Sequence, residues 1–255
     1  MSLKRKLSRL VAGNFARNVV WMTGSTVLAH GLFLLASPVL TRLYSPEAFA
    51  QLGILTTLQA LLLAGMSGRI EWSVPTAGSL HRAAALVAAA LIVLTGTSVI
   101  LAAGFWLGMD RIATAFELSS SVHLLLLALP LSVIAGGIQM IVHSWCVSAQ
   151  QLRPVAFSKL LQSVVFVGVA LVMGLASGAL LWLPVGFLVG HVAAAIAILV
   201  MVAGLMSRLR ALRWRFIWGV VRESGREILA SLGSSLLHNL AFSLPFLMIW
   251  FWYND

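Results

Sequence analysis

The stretch PVLTRLYSPEAFAQLG, residues 38–53, is the first clearly polar interruption of a chain that is otherwise almost continuously apolar from residue 18 onward. Apolar runs precede and follow it, each close to the roughly 20 residues that a helix needs to cross a bilayer. Ser45, Pro46 and Glu47 have the pattern of a helix start: a capping hydroxyl, a proline in the first turn and an acid facing the positive end of the helix dipole. The stretch therefore predicts a tight turn between two membrane-spanning helices.

The composition supports a membrane protein. The chain of 255 residues is 60% hydrophobic and 9% charged, with a mean hydropathy of +1.00. A soluble domain carries about 25% charged residues, and charge is scarce in proteins whose surroundings are lipid because it is costly there. Cys146 is the single cysteine, which excludes an intramolecular disulfide.

The apolar runs predict seven membrane-spanning helices and hence an all-α, multi-pass integral membrane protein. Helices are the expected form because lipid offers no hydrogen-bond partner to free backbone groups. The 157–206 run is divided at "ASGALLWLP" because one helix of that length does not fit a bilayer. The predicted spans are 18–40, 50–67, 83–107, 122–147, 157–177, 180–206 and 228–252.

The basic residues predict the orientation of these spans. All but two of the 17 lysines and arginines fall on one side of the predicted membrane, and only Arg42 and Arg111 fall on the other. The positive-inside rule places the N-terminus in the cytoplasm and the C-terminus outside. Topology thus accounts for the formal charge of +10, and no nucleic-acid partner is expected. A signal peptide is the alternative for the N-terminus, but the first apolar run is longer than a typical signal core and favours an uncleaved span.

The basic loop 207–227 predicts an amphipathic helix at the cytoplasmic interface, with its arginines near lipid phosphates. Apolar residues recur at helical spacing on one side and arginines recur every seven residues on another. These residues are Leu209, Leu212, Phe216 and Val220, and Arg208, Arg215 and Arg222. An arm that binds a protein partner is the alternative interpretation.

Polar residues inside three predicted spans form stripes at helical spacing. They centre on His30 in the first span, on Gln139 and His143 in the fourth, and on His238 and Asn239 in the seventh. Such stripes line watery cavities in some membrane proteins and hold helices together through hydrogen bonds in others. Taken together the three stripes favour a cavity, whereas His191 and the pairs Gly174/Gly178 and Gly186/Gly190 favour helix packing.

No pattern typical of an enzyme is visible in the sequence. The seven acidic residues include no paired metal-binding motif, and no HExxH, P-loop or GxSxG motif occurs. The sequence therefore predicts a protein that is not an enzyme and that uses no metal and no cofactor.

A weak internal repeat suggests a second copy of the first helix. "GSTVL" at 24–28 is echoed by "GSSLL" at 233–237, and the same offset aligns Phe33 with Phe242 and Tyr44 with Tyr253. Repeats of this kind are a feature of transporters. The predicted organisation is a basic N-terminus 1–17, a six-helix lobe 18–206, an amphipathic linker 207–227 and the first helix of a truncated second lobe, 228–255.

The stretch "GSTVLAHGLFLLASPVLTRLYSPEAFAQLGIL" and the segment "GRIEWSVPTA", 68–77, resemble the start of the Wzx-type polysaccharide flippases. These belong to the multidrug/oligosaccharidyl-lipid/polysaccharide exporter superfamily. The resemblance implies two six-helix lobes around a cavity in the bacterial inner membrane. It also implies that undecaprenyl-diphosphate-linked oligosaccharide for O-antigen, lipopolysaccharide or exopolysaccharide is moved across the bilayer by alternating access. The chain departs from the family pattern because most of the second lobe is missing.

The resemblance implies specific roles for several residues. Arg69 and Glu71 are candidates for headgroup contact or gating, with an ordinary interfacial ion pair as the alternative. Arg42 meets substrate at the exit or anchors in the outer headgroups. The cavity candidates are His30, Gln139, His143, His238 and Asn239. The expected partners are the lipid bilayer, the lipid-linked oligosaccharide and other polysaccharide assembly proteins. The alternative functions are a multidrug or toxin cation extruder and a non-transporting scaffold in polysaccharide assembly.

Overall fold

A computed structural model describes residues 16–115, 120–177, 179–235 and 237. Within those residues the chain is helical and contains no strand. The helices are α1 Ala16–Leu43, α2 Pro46–Met66, α3 Leu80–Ala115, α4 Ser120–Ser148, α5 Arg153–Ala176, α6 Trp182–Met201, α7 Ala203–Arg210 and α8 Trp214–Glu223, with a short 3₁₀ turn at Ile70–Ser73. A further helical segment follows at 225–235.

Six of these helices, α1 to α6, are long and apolar enough to cross a membrane. Their positions match those of the first six predicted spans, with the largest differences at the C-terminal ends of α3 and α6. Residues 225–235 cover the start of the seventh predicted span, and most of its remainder, including His238 and Asn239, lies outside the described residues. The coarse prediction of an all-helical chain with several membrane-length helices is therefore confirmed.

The turn between α1 and α2 is as short as predicted. Pro46 opens α2 and Glu47 lies in its first turn. Ser45 holds the capping position, but its hydroxyl makes no capping hydrogen bond, so that detail of the prediction is wrong. Instead the turn is fixed by the neighbouring Tyr44, whose buried hydroxyl donates a 2.7 Å hydrogen bond to the main-chain oxygen of Ala170 on α5.

The order of helices in space differs from their order along the chain. α1 packs mainly on α5, α5 packs on α6, α6 packs on α4, and α4 packs on α3. α2 contacts α4 and α6, so it packs against two adjacent helices of this row. The largest cluster of buried apolar side chains is built around the first half of α3, where residues 83–90 are all buried, together with α4 and the C-terminal part of α6.

Glycines allow the closest of these contacts. A Cβ atom at Gly190 would stand 2.7 Å from the main-chain oxygen of Gln162, and one at Gly186 would stand 3.1 Å from that of Phe166. The predicted Gly186/Gly190 pair therefore lies at the α5–α6 contact, where the two backbones approach closely. Gly174 of the other predicted pair packs against the Tyr44 ring.

One end of the bundle collects most of the arginines in the described part of the chain. We call it the basic end; it comprises 67–82, 145–153 and 201–227. Here α7 and α8 replace the single amphipathic helix predicted for 207–227, because the helix is interrupted at 211–213. α8 packs on α3 through Ile217 and Val220, while Phe216, predicted on the apolar face with Val220, lies beside His81 with 4.7 Å between ring centroids.

Candidate functional site

Polar side chains from three helices meet near the middle of the bundle. Gln139 of α4 is buried, and its Nε2 donates a 3.0 Å hydrogen bond to the main-chain oxygen of His191 on α6. The Nε2 atom of Gln162 on α5 lies 3.1 Å from Nε2 of the same histidine. Since Gln139, Gln162 and His191 fall near the midpoints of their helices, the network lies about halfway along the bundle.

The hydrogen bonds of His191 indicate its tautomer. Its Nδ1 lies 3.1 Å from the main-chain oxygen of Phe187, which can only accept, so Nδ1 carries the proton. In the neutral ring Nε2 is then an acceptor for the amide of Gln162. His191, which the sequence assigned to helix packing, thus links α5 to α6 while its main chain links α6 to α4.

A lateral cavity of about 230 Å³ opens beside this network, between α1, α2, α5 and α6. His30, Thr56, Gln162 and Ser163 supply its polar groups, and none of the described residues that line it is an acid, a lysine or an arginine. Gln162 belongs both to the cavity wall and to the buried network. A ligand that contacts this amide would therefore be linked through it to His191 on α6.

Aromatic rings form the rest of the wall. The rings of Phe33 and Phe166 are stacked with centroids 5.6 Å apart, and Phe187 meets Phe166 edge-on at 6.1 Å. All three line the cavity. Its volume lies below the roughly 300–1,000 Å³ typical of pockets that enclose drug-sized ligands. The cavity therefore has room for a single ring or a similar part of a larger molecule.

Of the predicted cavity residues that the structure describes, His30 lines this cavity and Gln139 and His143 do not; His238 and Asn239 lie outside the described residues. The side chains of Gln139 and His143 instead make hydrogen bonds between helices. His143 Nε2 lies 3.3 Å from Ser158 Oγ, and the Ser158 hydroxyl already donates to Val155 O, so the imidazole donates to the serine. In the described residues the stripe on α4 therefore holds helices together.

Sequence reasoning missed Thr56, Gln162 and Ser163 as cavity residues. An amide in the middle of an apolar span is an available signal, because an unpartnered amide is costly in lipid. Gln162 carries that signal, and so does Gln59, which donates a 2.7 Å hydrogen bond from α2 to the main-chain oxygen of Ser132 on α4. The signal does not distinguish a cavity residue from a buried helix contact, and these two glutamines illustrate both outcomes.

Arg69 and Glu71 lie far from the cavity, in the segment that joins α2 to α3 at the basic end. Glu71 is 1% exposed, and Ser67 Oγ donates to its Oε2 over 2.5 Å. Its other oxygen has no hydrogen-bond partner among the described residues. The predicted loop acid is therefore buried against α3 and α4.

The ion pair between Arg69 and Glu71, which was the alternative interpretation of these residues, does not form. The Arg69 guanidinium lies over the exposed Trp72 ring, 5.4 Å from its centroid, within the range of a cation–π interaction. Arg69 also adopts a left-handed backbone conformation with φ of 58°, directly after Gly68 with φ of 64°. These two residues reverse the chain after α2, which directs Glu71 into the bundle.

The remaining predicted site residue, Arg42, is exposed in the last turn of α1, at the end of the bundle opposite Arg69. The structure thus does not bring Arg42, His30 and Arg69 into one site; it places them at one end, the middle and the other end. Among the described residues no group of three histidines, cysteines or acids is arranged to hold a metal ion.

Comparisons with protein-family models, with curated proteins and with solved structures find no match to this chain. The described residues define the class: an all-helical chain whose six long apolar helices are compatible with a multi-pass membrane protein.

Proposed function

We propose that the chain is the N-terminal lobe of a flippase that moves undecaprenyl-diphosphate-linked oligosaccharide across the bacterial inner membrane by alternating access, for O-antigen or exopolysaccharide export. The observation that carries the proposal is the lateral cavity at mid-depth, lined by His30, Thr56, Gln162 and Ser163. Transporters typically bind substrate near the bilayer midplane, where polar groups are otherwise costly.

The chemistry of the cavity favours a sugar. Hydroxyl, amide and imidazole groups exchange hydrogen bonds with neutral hydroxyls, and the Phe33, Phe166 and Phe187 rings offer faces to the C–H groups of a sugar ring. The cavity is open at the side of the lobe, and α1 and α2 are the least buried of the six long helices. A second lobe placed against this side would complete the enclosure.

The arginines outside the cavity suit the two ends of the path. Arg69, beside Trp72 at the basic end, is proposed to contact the diphosphate as it enters from the cytoplasmic side. Arg42, exposed at the opposite end, is proposed to contact the headgroup at the exit. Guanidinium groups suit both roles because they bind phosphate oxygens through charge-assisted hydrogen bonds.

A multidrug or toxin cation extruder is the second candidate, and the burial of Glu71 favours it. A buried carboxylate with one oxygen that has no hydrogen-bond partner among the described residues suits a cation or a proton. Glu71 is not among the residues that line the lateral cavity, however, and none of those residues is acidic. The flippase assignment accounts for the composition of the cavity, and the extruder assignment does not.

Genetic complementation tests the proposal. The protein, expressed from its complete reading frame, is expected to restore surface polysaccharide in a strain that lacks its own lipid-linked oligosaccharide flippase. His30→Leu is expected to reduce the restored polysaccharide, and the same change at the exposed His81, outside the cavity, is the control. Drug resistance without restored polysaccharide would favour the extruder. Neither phenotype, with the protein present in the membrane, would leave a scaffold role.

A further inference from the structure

A second cavity, of about 390 Å³, lies at the basic end between the start of α3 and the ends of α4 and α6, and it is closed on one side by α7. Its wall is apolar where Trp145, Met201 and Leu205 line it, and polar where Gln151, Ser207 and Arg208 line it. None of the described residues that line it is acidic. Within the described part of the chain the cavity therefore combines the positive charge of Arg208 with an apolar wall.

The surrounding segment raises the positive potential at this cavity. Residues 203–227 contain six arginines and two glutamates. One of those acids, Glu223, is already paired with Arg82 at 2.7 Å. Arg208 and Arg210 lie in the last turn of α7. The helix dipole is negative at that end and opposes the binding of an anion. Anion binding at this cavity must therefore come from the arginine side chains.

α8 gives independent evidence that this end lies at the level of lipid headgroups. Trp214 and Trp218 are 58% and 40% exposed, and their rings contact each other with centroids 5.4 Å apart. Ile217 and Val220, on a neighbouring face of α8, are buried against α3. Exposed tryptophans flanked by arginines are typical of a helix that lies in the membrane–water interface.

We propose that the α4–α6–α7 cavity binds the headgroup and glycerol of an anionic phospholipid of the phosphatidylglycerol type. The phosphate contacts Arg208, with Ser207 and Gln151 at the polar rim, and the glycerol and first acyl carbons pack on Trp145, Met201 and Leu205. Basic pockets between membrane helices bind anionic headgroups in this manner. The site is separate from the mid-depth cavity and does not depend on the function proposed for it.

Gly204 provides a test that leaves the charge unchanged. It lines the cavity, and a Cβ atom at Gly204 would meet no atom within 4 Å, so Gly204→Leu adds an apolar side chain at the cavity wall with no clash at its Cβ atom. Gly219 on α8 has equally open surroundings and is not among the cavity residues, so Gly219→Leu is the matched control. Arg208→Gln and the exposed Arg222→Gln form the corresponding charge pair.

The measurement is the amount of lipid retained by the purified protein in native mass spectrometry after transfer from vesicles of phosphatidylglycerol or of phosphatidylcholine. Arg208→Gln is expected to lower phosphatidylglycerol retention about five-fold, the loss that corresponds to one arginine near a lipid surface. Gly204→Leu is expected to lower it by more than two-fold, because the leucine side chain takes up space at the cavity wall. Gly219→Leu and Arg222→Gln are expected to retain it within two-fold of the unmodified protein.

Three outcomes would overturn the proposal. Equal losses in both arginine variants would indicate general attraction to the basic surface. Equal retention of phosphatidylcholine would indicate an apolar site with no preference for an anion. Displacement of the lipid by millimolar inorganic phosphate would indicate a free-phosphate site. Because the measurement requires no transport, it does not depend on the outcome of the complementation test.

Discussion

The Ser67 hydroxyl donates a 2.5 Å hydrogen bond to Oε2 of Glu71, and both side chains are almost completely buried where α2 ends against α3 and α4. No other hydrogen bond to this carboxylate is found in the part of the chain that the structure describes. Ser67 is therefore the principal local partner of this buried acid among the described residues.

Ser67→Ala is expected to destabilise the protein by about 1–3 kcal/mol, because a buried polar group that loses its hydrogen bond loses most of its compensation for desolvation. The measurement is the midpoint of thermal unfolding in detergent. Ser177→Ala, which removes an exposed hydroxyl bonded only to its own helix, is the control and is expected to change the midpoint little. Equal midpoints for the two variants would contradict the role assigned to Ser67.

Gly190→Ala is expected to weaken the α5–α6 contact strongly. The new Cβ atom would stand 2.7 Å from the main-chain oxygen of Gln162, and a backbone atom cannot move aside as a flexible side chain can. Overpacking of this kind typically costs about 1–3 kcal/mol. The measurement is thermal unfolding in the same detergent.

Gly168→Ala is the matched control for Gly190→Ala. Gly168 lies inside α5, and a Cβ atom there would meet nothing within 4 Å. Since alanine favours the helix over glycine by roughly 0.5–1 kcal/mol, this variant is expected to be unchanged or slightly more stable. If both variants behave alike, the close backbone approach at Gly190 is not a feature of the folded protein.

The Arg82–Glu223 ion pair joins the start of α3 to the end of α8. Both side chains are substantially exposed, at 42% and 63%, so a double-mutant cycle with Arg82→Ala and Glu223→Ala is expected to give a coupling free energy of only about 0.2–1 kcal/mol. High salt is expected to reduce it, because exposed pairs are screened. A coupling of several kcal/mol would show that the pair is shielded from solvent, in conflict with its exposure.

Cysteine labelling tests the orientation predicted by the positive-inside rule. Cys146 is completely buried and is replaced by alanine for this experiment. Ser177 and Arg215 are exposed and lie at opposite ends of the bundle. In spheroplasts, Ser177→Cys is expected to react with a membrane-impermeant maleimide, and Arg215→Cys is expected to react only after permeabilisation. The reverse pattern would place the basic end outside.

The helices could be predicted from hydropathy and charge, because a membrane-length helix makes its backbone hydrogen bonds internally and carries few charged side chains. The site was harder to predict because helical spacing does not show which neighbour a stripe faces. The stripe with Gln139 and His143 was predicted to line a cavity, yet in the structure it makes contacts with α6 and α5. His30 has the same spacing signal and lines the cavity, since α1 packs beside α5.

The burial of Glu71 was unpredictable for a different reason. A carboxylate in a short segment between two spans is normally expected in water. Its burial depends on the left-handed conformations of Gly68 and Arg69, which turn the 3₁₀ segment inward. The sequence contains the Gly68 signal, but arginine rarely adopts positive φ, and no spacing rule indicates that it does so here.

The measurement that tests the central claim most directly is translocation of a fluorescent polyprenyl-diphosphate oligosaccharide in proteoliposomes containing the protein from its complete reading frame. Dithionite added outside quenches only the lipid in the outer leaflet. The account predicts that quenching proceeds beyond the half reached in empty vesicles, and that His30→Leu slows this second phase about five- to ten-fold, as expected for one lost hydrogen bond, while His81→Leu does not. Quenching that stops at half with the protein reconstituted, or equal rates for the two variants, would contradict it.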